Sequence, residues 1–388
     1  MTTGLASEFL LDPDVTFLNH GSYGACPRVV FEAYQAWLRE LERQPVAFLD
    51  RFGALKDRLG AVRQVLAAEM GANKSDIALF TNSTSALNVV LQSLDLRPGD
   101  EILTSDHEYA AMDKCLEFIC KRAGARVVRA NVPMPLRDAT AFTNAFLDKI
   151  SAHTRLLFLS HITSATALKF PIESVLTEAR ARGIITVIDA AHAPGQVDLD
   201  LQALGADFYA GNCHKWMMAP KGSAFLYARA DVQHLLKPSI ISHGWTGLTG
   251  EIGPFGNPAF IDALEMQGTR DPAAWLAVPE AIAFATARNW SEVRTKCQSL
   301  VQDTAARIRD ITHFPALSTP EFCAPQMIAC EIATCDPREL HQRLLAEFKI
   351  EIPCHTWHDK TLIRVSVQGY TTQAELDHLV STLRQLFA

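Results

Sequence analysis

The sequence lacks the features that would direct a protein to a membrane, a secretory route or a nucleic acid. No stretch approaches the roughly 20 uninterrupted apolar residues that a membrane-spanning helix needs. The first nine residues carry no basic cluster ahead of an apolar run, so we expect no secretory signal. No run of Lys or Arg is present and the formal net charge is −7, which argues against a phosphate-backbone partner.

Patterned cysteines and metal-binding motifs are also missing. The nine cysteines are odd in number and scattered, with no CxxC pair. This pattern favours a reducing cytoplasm over a disulfide framework. His355 and His358 lack the nearby ligand set of a zinc site, and the glycine-rich stretch 244–256 has no GxGxxG after a strand. We therefore expect a cytoplasmic protein without a metal, a dinucleotide site, a nucleic-acid partner or a membrane partner.

The residues that are present indicate a globular chain of enzyme size. Of the 388 residues, 48% are hydrophobic and 20% are charged, which is enough apolar material for a sizeable core. From about residue 77 to 229, short apolar or β-branched runs alternate with helix-like stretches. The predicted strands are 77–82, 101–106, 125–130, 155–163, 183–190, 207–211 and 223–228. The alternation predicts an α/β fold with a mostly parallel sheet, in which ligands bind beyond the carboxyl ends of the strands.

The pattern changes after about residue 267. A long helical run over 273–309 leads to fewer strands, at 327–333, 349–353 and 361–367. The last helix is predicted by a capping box, Thr372-x-x-Glu375, ahead of apolar residues on one face.

These two patterns predict two domains. We expect a large α/β domain over 15–265 and a smaller α+β domain over 266–388, with residues 1–14 packing on the smaller one. The Gly/Pro-rich stretch 243–258 is too rich in glycine for a core element, and we interpret it as an active-site or interface loop.

Two charged residues stand at predicted strand ends. Asp189 closes a fully apolar strand, and Lys215 follows the next strand in the string Asn212-Cys213-His214-Lys215-Trp216. Such a pair suits pyridoxal phosphate, because the lysine amine forms a Schiff base and the carboxylate keeps the pyridine nitrogen protonated. On spacing alone, a structural salt bridge between Asp189 and Lys215 at the sheet edge is the better interpretation.

The upstream half of the sequence favours the cofactor interpretation. The strand at 77–82 leads into Ser83-Thr84-Ser85, a hydroxyl-rich turn that opens a helix. Helix N-termini hold phosphate through their free N–H groups, although an ordinary N-cap would have the same composition. The next strand ends in Asp106-His107-Glu108-Tyr109, where an aromatic ring could cover one face of a planar cofactor.

Taken together, these motifs resemble fold-type I pyridoxal-phosphate enzymes of the class V aminotransferase family. The lysine region 189–226 is similar to that family's lysine region, and FLNHGSYG at 17–24 is similar to the N-terminal loop of its isopenicillin N epimerase-like branch. The segments 106–109, 160–166 and 267–272 also match this branch, which lies beside the cysteine desulfurases. The resemblance extends from about residue 15 to the C-terminus and implies the fold-type I transferase fold, pyridoxal 5′-phosphate and a homodimer.

The resemblance also implies individual roles. Lys215 would carry the Schiff base and move the Cα proton, Asp189 would pair with the pyridine nitrogen, and His107 would stack on the ring, with Tyr109 as a substitute. Residues implied to hold the rest of the cofactor are Ser83, Thr84, Asn212 and His214 at the phosphate, Thr269 of the partner subunit, and His192 and Ser164 near the phenolic oxygen. Residues implied to bind substrate are Arg364, which would grip its carboxylate, with Asn19 and Tyr23.

The sequence departs from the family pattern at three places. Ser164 stands where many relatives have Asn, and Tyr370 is followed by Thr371 rather than Asn. Cys354 directly follows a predicted strand, only ten residues before Arg364, so we interpret it as a half-buried thiol rather than the sulfur acceptor of a cysteine desulfurase.

These residues predict a homodimeric enzyme that removes the Cα proton of an α-amino acid. Epimerisation, C–S cleavage and transamination use the same residues, and the sequence does not choose among them. Epimerase, racemase or C–S lyase activity is the preferred interpretation, with aminotransferase or cysteine desulfurase-type activity as alternatives. A protein that binds the cofactor without turnover is a further alternative, which the presence of Lys215, Asp189 and Arg364 disfavours.

Overall fold

The computed structural model describes residues 5–247 and 252–387. These residues form twelve strands: β1 Thr16–Phe17, β2 Ile77–Phe80, β3 Glu101–Ser105, β4 Arg126–Ala130, β5 Thr154–Ser160, β6 Ile185–Ala190, β7 Phe208–Asn212, β8 Ala224–Ala228, β9 Met327–Ile332, β10 Ile350–Glu351, β11 Cys354–Trp357 and β12 Lys360–Ser366. The helices are α1 His20–Tyr23, α2 Arg28–Arg43, α3 Pro45–Phe48, α4 Ala54–Glu69, α5 Ser83–Ser93, α6 Ala110–Ala123, α7 Ala139–Leu147, α8 Glu173–Ala181, α9 Leu201–Leu204, α10 Ala259–Glu265, α11 Ala273–Leu276, α12 Val278–Ala287, α13 Trp290–Thr312, α14 Pro337–Phe348 and α15 Gln373–Phe387.

A seven-stranded sheet forms the centre of the molecule. Its strand order is β2-β8-β7-β6-β5-β3-β4, and only β8 runs antiparallel to its neighbours. All strands except the edge strand β4 are largely apolar and buried on both faces, which is typical of a sheet covered by helices on each side. Parallel β2, β3, β5, β6 and β7 therefore end at one edge, where the loops after them meet.

The predicted α/β fold with a mostly parallel sheet is confirmed, and the strands agree with the predicted bounds to within a few residues. The helical run predicted over 273–309 is divided into α11, α12 and α13. The break before α13 lies at Asn289, whose φ of 48° places it in the left-handed region. The apolar residues of α12 and of α13 therefore each follow the helical period, but the two helices do not share one axis.

The C-terminal part contains a second, smaller sheet. Its order is β11-β12-β9, fully antiparallel, with α13 packed against β9 and α15 packed against α13. The predicted capping box is present, because the Glu375 carboxylate accepts from the Thr372 N–H at 2.7 Å. The N-terminal segment contacts this part of the chain, with the Phe9 ring 4.8 Å from that of Tyr370. The domain boundary at residue 265 stays a prediction.

The Gly/Pro-rich stretch predicted to be a loop is described only in part, since residues 248–251 lie outside the described residues. Its later portion is organised by Asp262, whose carboxylate accepts from the Phe255 N–H at 2.8 Å and from the Asn257 amide at 2.7 Å.

None of the helices in the described ranges is long and apolar enough to cross a membrane.

Candidate active site

A cavity of about 230 Å³ lies at the carboxyl edge of the central sheet. The loops after β2, β3, β5, β6 and β7 form most of its wall, and α1 and β12 complete it. Its lining residues are Gly21, Ser22, Tyr23, Asn82, Ser83, Thr84, Tyr109, Ser160, Ile162, Ser164, Asp189, Ala191, His192, Asn212, His214, Lys215 and Arg364. A larger cleft of about 870 Å³ contains none of the predicted site residues. Ten predicted site residues thus meet in the smaller cavity.

One end of the cavity is the N-terminus of α5. Asn82 caps this helix by accepting from the Ser85 N–H at 2.8 Å, and Asn212 accepts from the Ser83 N–H at 2.8 Å. The Ser83 hydroxyl is buried and has no hydrogen-bond partner among the described residues. A buried hydroxyl without a partner is costly, and a phosphate at the positive end of the helix would satisfy it. The chemistry of this end therefore fits the phosphate of pyridoxal phosphate.

His214 adds a second polar group at that end. Its Nδ1 lies 3.1 Å from the Ser223 carbonyl oxygen, which can only accept, so Nδ1 carries the proton of the neutral ring. Burial lowers the pKa of His214 to about 4. An anion bound beside this ring would oppose that effect and favour the imidazolium, which could then donate from Nε2 as well.

The far wall carries Asp189, at the end of β6. Its carboxylate is 4% exposed and accepts from the Ala191 N–H at 2.9 Å. Burial raises its pKa, and the ammonium of Lys215 opposes this in part. A buried carboxylate that lacks a cation in contact fits a protonated pyridine nitrogen.

Lys215 follows β7 and lies between Asp189 and Arg364. Its Nζ is 3.1 Å from His192 Nε2, and burial together with the Arg364 charge lowers its pKa to about 7. An amine with this pKa is about half neutral at pH 7 and largely neutral about one pH unit higher, and a neutral amine is the nucleophilic form. This environment is that expected of a lysine that forms a Schiff base.

Arg364, on β12, closes the cavity from the C-terminal sheet. Its guanidinium is 5% exposed, donates to the Ser164 carbonyl oxygen at 2.8 Å and to the Ser164 and Ser22 hydroxyls at 3.2 Å, and leaves Nε without a partner among the described residues. Burial lowers its pKa to about 10. Within the described part of the chain no carboxylate forms an ion pair with this cation, so the site provides an unfilled place for an anion.

Three predicted site residues do not line the cavity. His107 lies against Trp357, with ring centroids 4.4 Å apart, and its Nδ1 is 2.8 Å from Thr166 Oγ1. Asn19 donates instead to Glu351 at 2.7 Å. Thr269 is exposed and is not among the residues that line the cavity. Its contact with the cofactor phosphate of a partner subunit stays a prediction.

The structure also brings forward residues to which the sequence gave a lesser role or none. Tyr109, considered only as a substitute for His107, lines the cavity and is 47% exposed. Glu108 is buried and accepts from the Ser105 and Ser160 hydroxyls at 2.5 Å, while burial raises its pKa to about 7. Trp216 donates to His192. No sequence signal distinguishes Glu108 or Trp216 from a core residue, since their partners are 52 and 24 positions away.

The described cavity wall contains neither a cysteine nor a cluster of metal-ligating side chains. Cys354 is half-buried at the start of β11, where burial raises its pKa to about 12. Among the described residues no group of three or more His, Cys, Asp or Glu side chains could hold a metal ion. His355 contacts the Ala165 carbonyl oxygen and His358 lies near Asp106.

The fold and this cavity define a class of pyridoxal-phosphate enzyme, and sequence comparison gives the family. The chain belongs to the aminotransferase class-V family, whose model matches residues 17–379. This confirms the family suggested by the motifs. The family implies pyridoxal phosphate as the cofactor and an amino acid as the substrate.

The curated relatives are of two kinds. The chain is 36% identical to the isopenicillin N epimerase of Streptomyces clavuligerus, over 98% of this chain and 96% of that protein. It is 37% identical to the isopenicillin N epimerase of Amycolatopsis lactamdurans, over 97% and 96%. A probable chloroplastic L-cysteine desulfhydrase of Arabidopsis thaliana is 29% identical, over 89% of this chain and 75% of that protein.

Solved structures agree with the fold. The C–S lyase C-DES, in a mutant form with glycine covalently linked to its PLP cofactor, superposes with a TM-score of 0.80 at 22% identity, over 98% of this chain and 99% of that one. The apo cysteine desulfurase of Thermococcus onnurineus NA1 gives a TM-score of 0.80 at 17% identity, over 99% and 97%. At these identities the likeness establishes the fold alone.

Proposed function

We propose that this protein is a pyridoxal-phosphate-dependent epimerase or racemase that inverts an α-amino acid centre. The observation that carries the proposal is that Arg364, a buried cation without a carboxylate partner among the described residues, faces the same cavity as Lys215 and Asp189. An α-amino acid has an amine and a carboxylate on one carbon. Arg364 offers a partner to the carboxylate, and the Schiff-base position at Lys215 offers one to the amine.

The proposed cofactor contacts follow the cavity from end to end. Ser83, Thr84 and His214 would hold the phosphate, and Asp189 would face the pyridine nitrogen. The cofactor, once bound, supplies an electron sink that acidifies the Cα–H bond. Lys215 would first carry the cofactor and then, released as a neutral amine, take the Cα proton.

Inversion requires a proton to return to the face opposite Lys215. Tyr23 and Tyr109 both line the cavity, at its exposed side, and each carries a hydroxyl that could donate. The 36% and 37% identity to isopenicillin N epimerases over nearly the full chain supports epimerisation as the first candidate.

C–S cleavage is the second candidate, supported by the L-cysteine desulfhydrases among the relatives. Loss of a β-thiolate uses the same Cα proton removal and needs no thiol from the protein. A cysteine desulfurase-type reaction does need an acceptor thiol, and no cysteine lies on the described cavity wall. The structure therefore disfavours that alternative.

We also propose a homodimer with shared active sites. Tyr23, which lines the cavity, is 73% exposed, and Trp245, in the stretch 243–258, is 44% exposed, so both leave large aromatic surface available for an interface. Thr269 would reach the phosphate of the neighbouring subunit. A two-fold interface of this kind creates two equivalent sites.

The test is a panel of single-enantiomer amino acids, together with isopenicillin N, incubated with the cofactor-loaded protein in D₂O. Epimerisation predicts that both enantiomers reach one mixture with deuterium at Cα, seen by chiral chromatography and NMR. C–S lyase activity predicts sulfide and pyruvate from L-cysteine. Transamination predicts a keto acid with no sulfide and no inverted amino acid. Deuterium exchange with none of these products, or no exchange at all, would contradict the proposal.

A further inference from the structure

A buried hydrogen-bonded chain runs behind Lys215, through two side chains that the reaction scheme above leaves without a proton role. The Trp216 indole Nε1 lies 3.3 Å from His192 Nδ1, and His192 Nε2 lies 3.1 Å from Lys215 Nζ. Trp216 is fully buried and His192 is 2% exposed. Water therefore has little access to the bond between Trp216 and His192.

The direction of each bond follows from donor chemistry. An indole N–H can only donate, so His192 Nδ1 must accept and carries no proton. The neutral imidazole then has its proton on Nε2. Burial and the nearby charges of Lys215 and Arg364 hold the pKa of His192 well below its ordinary value, so the ring stays neutral. Nε2–H consequently points at Lys215 as a donor.

A donor at this place constrains the lysine as well. An ammonium would also donate, and two donors facing each other at 3.1 Å would repel, whereas a neutral amine accepts through its lone pair. The His192 N–H thus favours the neutral form of Lys215, in the same direction as burial. A hydrogen bond to the neutral form of a base lowers its proton affinity.

His20 supports this chain from behind. Its ring lies 4.8 Å from that of Trp216, and its Nε2 lies 3.0 Å from the Lys215 carbonyl oxygen. The Ala25 N–H donates to His20 Nδ1 at 3.3 Å, so this tautomer is fixed too, again with the proton on Nε2. Burial lowers the pKa of His20 to about 3, and the neutral ring adds no charge beside Lys215.

We propose that Trp216 is a positioning residue that fixes His192 in the Nε2–H tautomer, so that His192 acts as a hydrogen-bond donor to Lys215 and not as a base. The statement about the tautomer is independent of the proposed function. Its consequence, that Lys215 is kept as a ready nucleophile and is the base on its face of the substrate, rests on the proposed function.

The first measurement is the tautomer of His192 in the full-length protein labelled with ¹⁵N-histidine. NMR distinguishes protonated from unprotonated ring nitrogens, and His192→Gln identifies the signal by its loss. We expect the Nε2–H form from pH 6 to 9. A protonated Nδ1 in the unsubstituted protein would overturn the proposal, whatever the variants do.

The second measurement is the pKa of Lys215, from the pH dependence of the rate at which added pyridoxal phosphate generates visible absorbance. Trp216→Phe keeps an aromatic ring and removes the donor, so His192 can place its proton on Nδ1 and accept from an ammonium. We expect the pKa of Lys215 to rise by about one unit, a roughly tenfold slower reaction below that pKa. The ionisable groups that face Lys215 and stay in place are Asp189, Arg364, His214 and His20.

The matched control is Trp290→Phe. Trp290 is also buried, but its Nε1 has no partner in the described part of the protein, so this change removes an indole N–H without removing a bond. We expect neither the His192 signal nor the Lys215 pKa to move. Equal shifts in both variants would overturn the proposal, as would an unchanged His192 tautomer in Trp216→Phe. If no absorbance develops even in the unsubstituted protein, the proposed function fails, and the tautomer measurement still decides this inference.

Discussion

The two halves of the cavity are built in different ways. The half that would hold the cofactor comes from strand ends of one sheet, at Ser83, Asp189 and Lys215, and hydrogen bonds hold the side chains of Asn212, Asp189 and Lys215. The half that would hold the substrate comes from α1 and β12, which lie more than 340 positions apart in the chain, and it includes exposed Tyr23. Cofactor chemistry is thus built into the sheet, while the choice of substrate depends on distant segments brought together.

The sharpest test of the cofactor half is removal of its amine. Lys215→Ala should abolish turnover and the visible absorbance of the lysine-bound cofactor, because no other lysine lines the described cavity. Circular dichroism should show an unchanged fold, since the side chain makes one hydrogen bond and little packing. Lys169→Ala, a half-buried lysine outside this cavity, is the control. Turnover near the unsubstituted rate would contradict the assignment.

Asp189→Asn tests the opposite wall of the same half. Loss of a preorganised charge contact should slow Cα proton removal by about 2–4 kcal/mol, or roughly 30- to 1000-fold. The ligand-free protein should not be destabilised, because burial already raises the pKa of this carboxyl and so disfavours its charge. Deuterium exchange at Cα and thermal unfolding measure the two effects. A rate loss below about tenfold would mean that another residue serves the ring nitrogen.

Arg364→Lys moves the test to the substrate half. Lysine keeps the charge but loses the fork that makes two parallel bonds to a carboxylate. We expect KM to rise by about 10- to 100-fold, while the absorbance of the bound cofactor stays unchanged, so the two halves respond separately. A change of kcat at constant KM would contradict a carboxylate-binding role.

The contrast between the halves also explains what the sequence could predict. Strand ends with Asp189 and Lys215 are local features of a βα pattern, so the sheet and most of the cofactor wall followed from spacing and the family resemblance. The positions of His107 and Asn19 could not be predicted in this way, because each depends on a partner far away in the sequence. His107 packs against Trp357, and Asn19 donates to Glu351. The hairpin of β11 and β12 that brings Trp357 to His107 includes a strand, β11, that the sequence pattern did not predict.

Glu108 provides a smaller effect that depends on pH. Its folded-state pKa of about 7 lies above the ordinary 4.5, so the folded protein binds this proton more tightly than the unfolded chain does. The stabilisation is complete below about pH 4.5 and is lost as pH rises through 7, by about 3 kcal/mol. Glu108→Gln should flatten the fall of Tm between pH 5 and 7. Glu173→Gln, at the start of α8, is the control, and an unchanged slope in the Glu108 variant would refute the titration.

The smallest expected signal, a factor of two, decides whether Thr269 of the partner chain completes the cofactor half. Thr269→Val should weaken cofactor binding if Thr269 reaches the phosphate of a neighbouring subunit. In a mixed dimer of Lys215→Ala and Thr269→Val chains, shared sites place both defects in one site and neither in the other. About half of the unsubstituted activity per dimer should then return, because cyclic dimers have two equivalent sites.

The outcome separates the two arrangements. If each chain formed its own site, the mixed dimer would contain one site without its amine and one with weakened cofactor binding, and its activity would be only half that of the Thr269→Val protein. Differently tagged chains, purified through both tags, ensure that the measured species is the mixed dimer. Full activity of the Thr269→Val protein alone, at limiting cofactor, would show that Thr269 does not bind the phosphate. Mixed dimers with no more than half the activity of the Thr269→Val protein would show that Thr269 does not act on the partner's site.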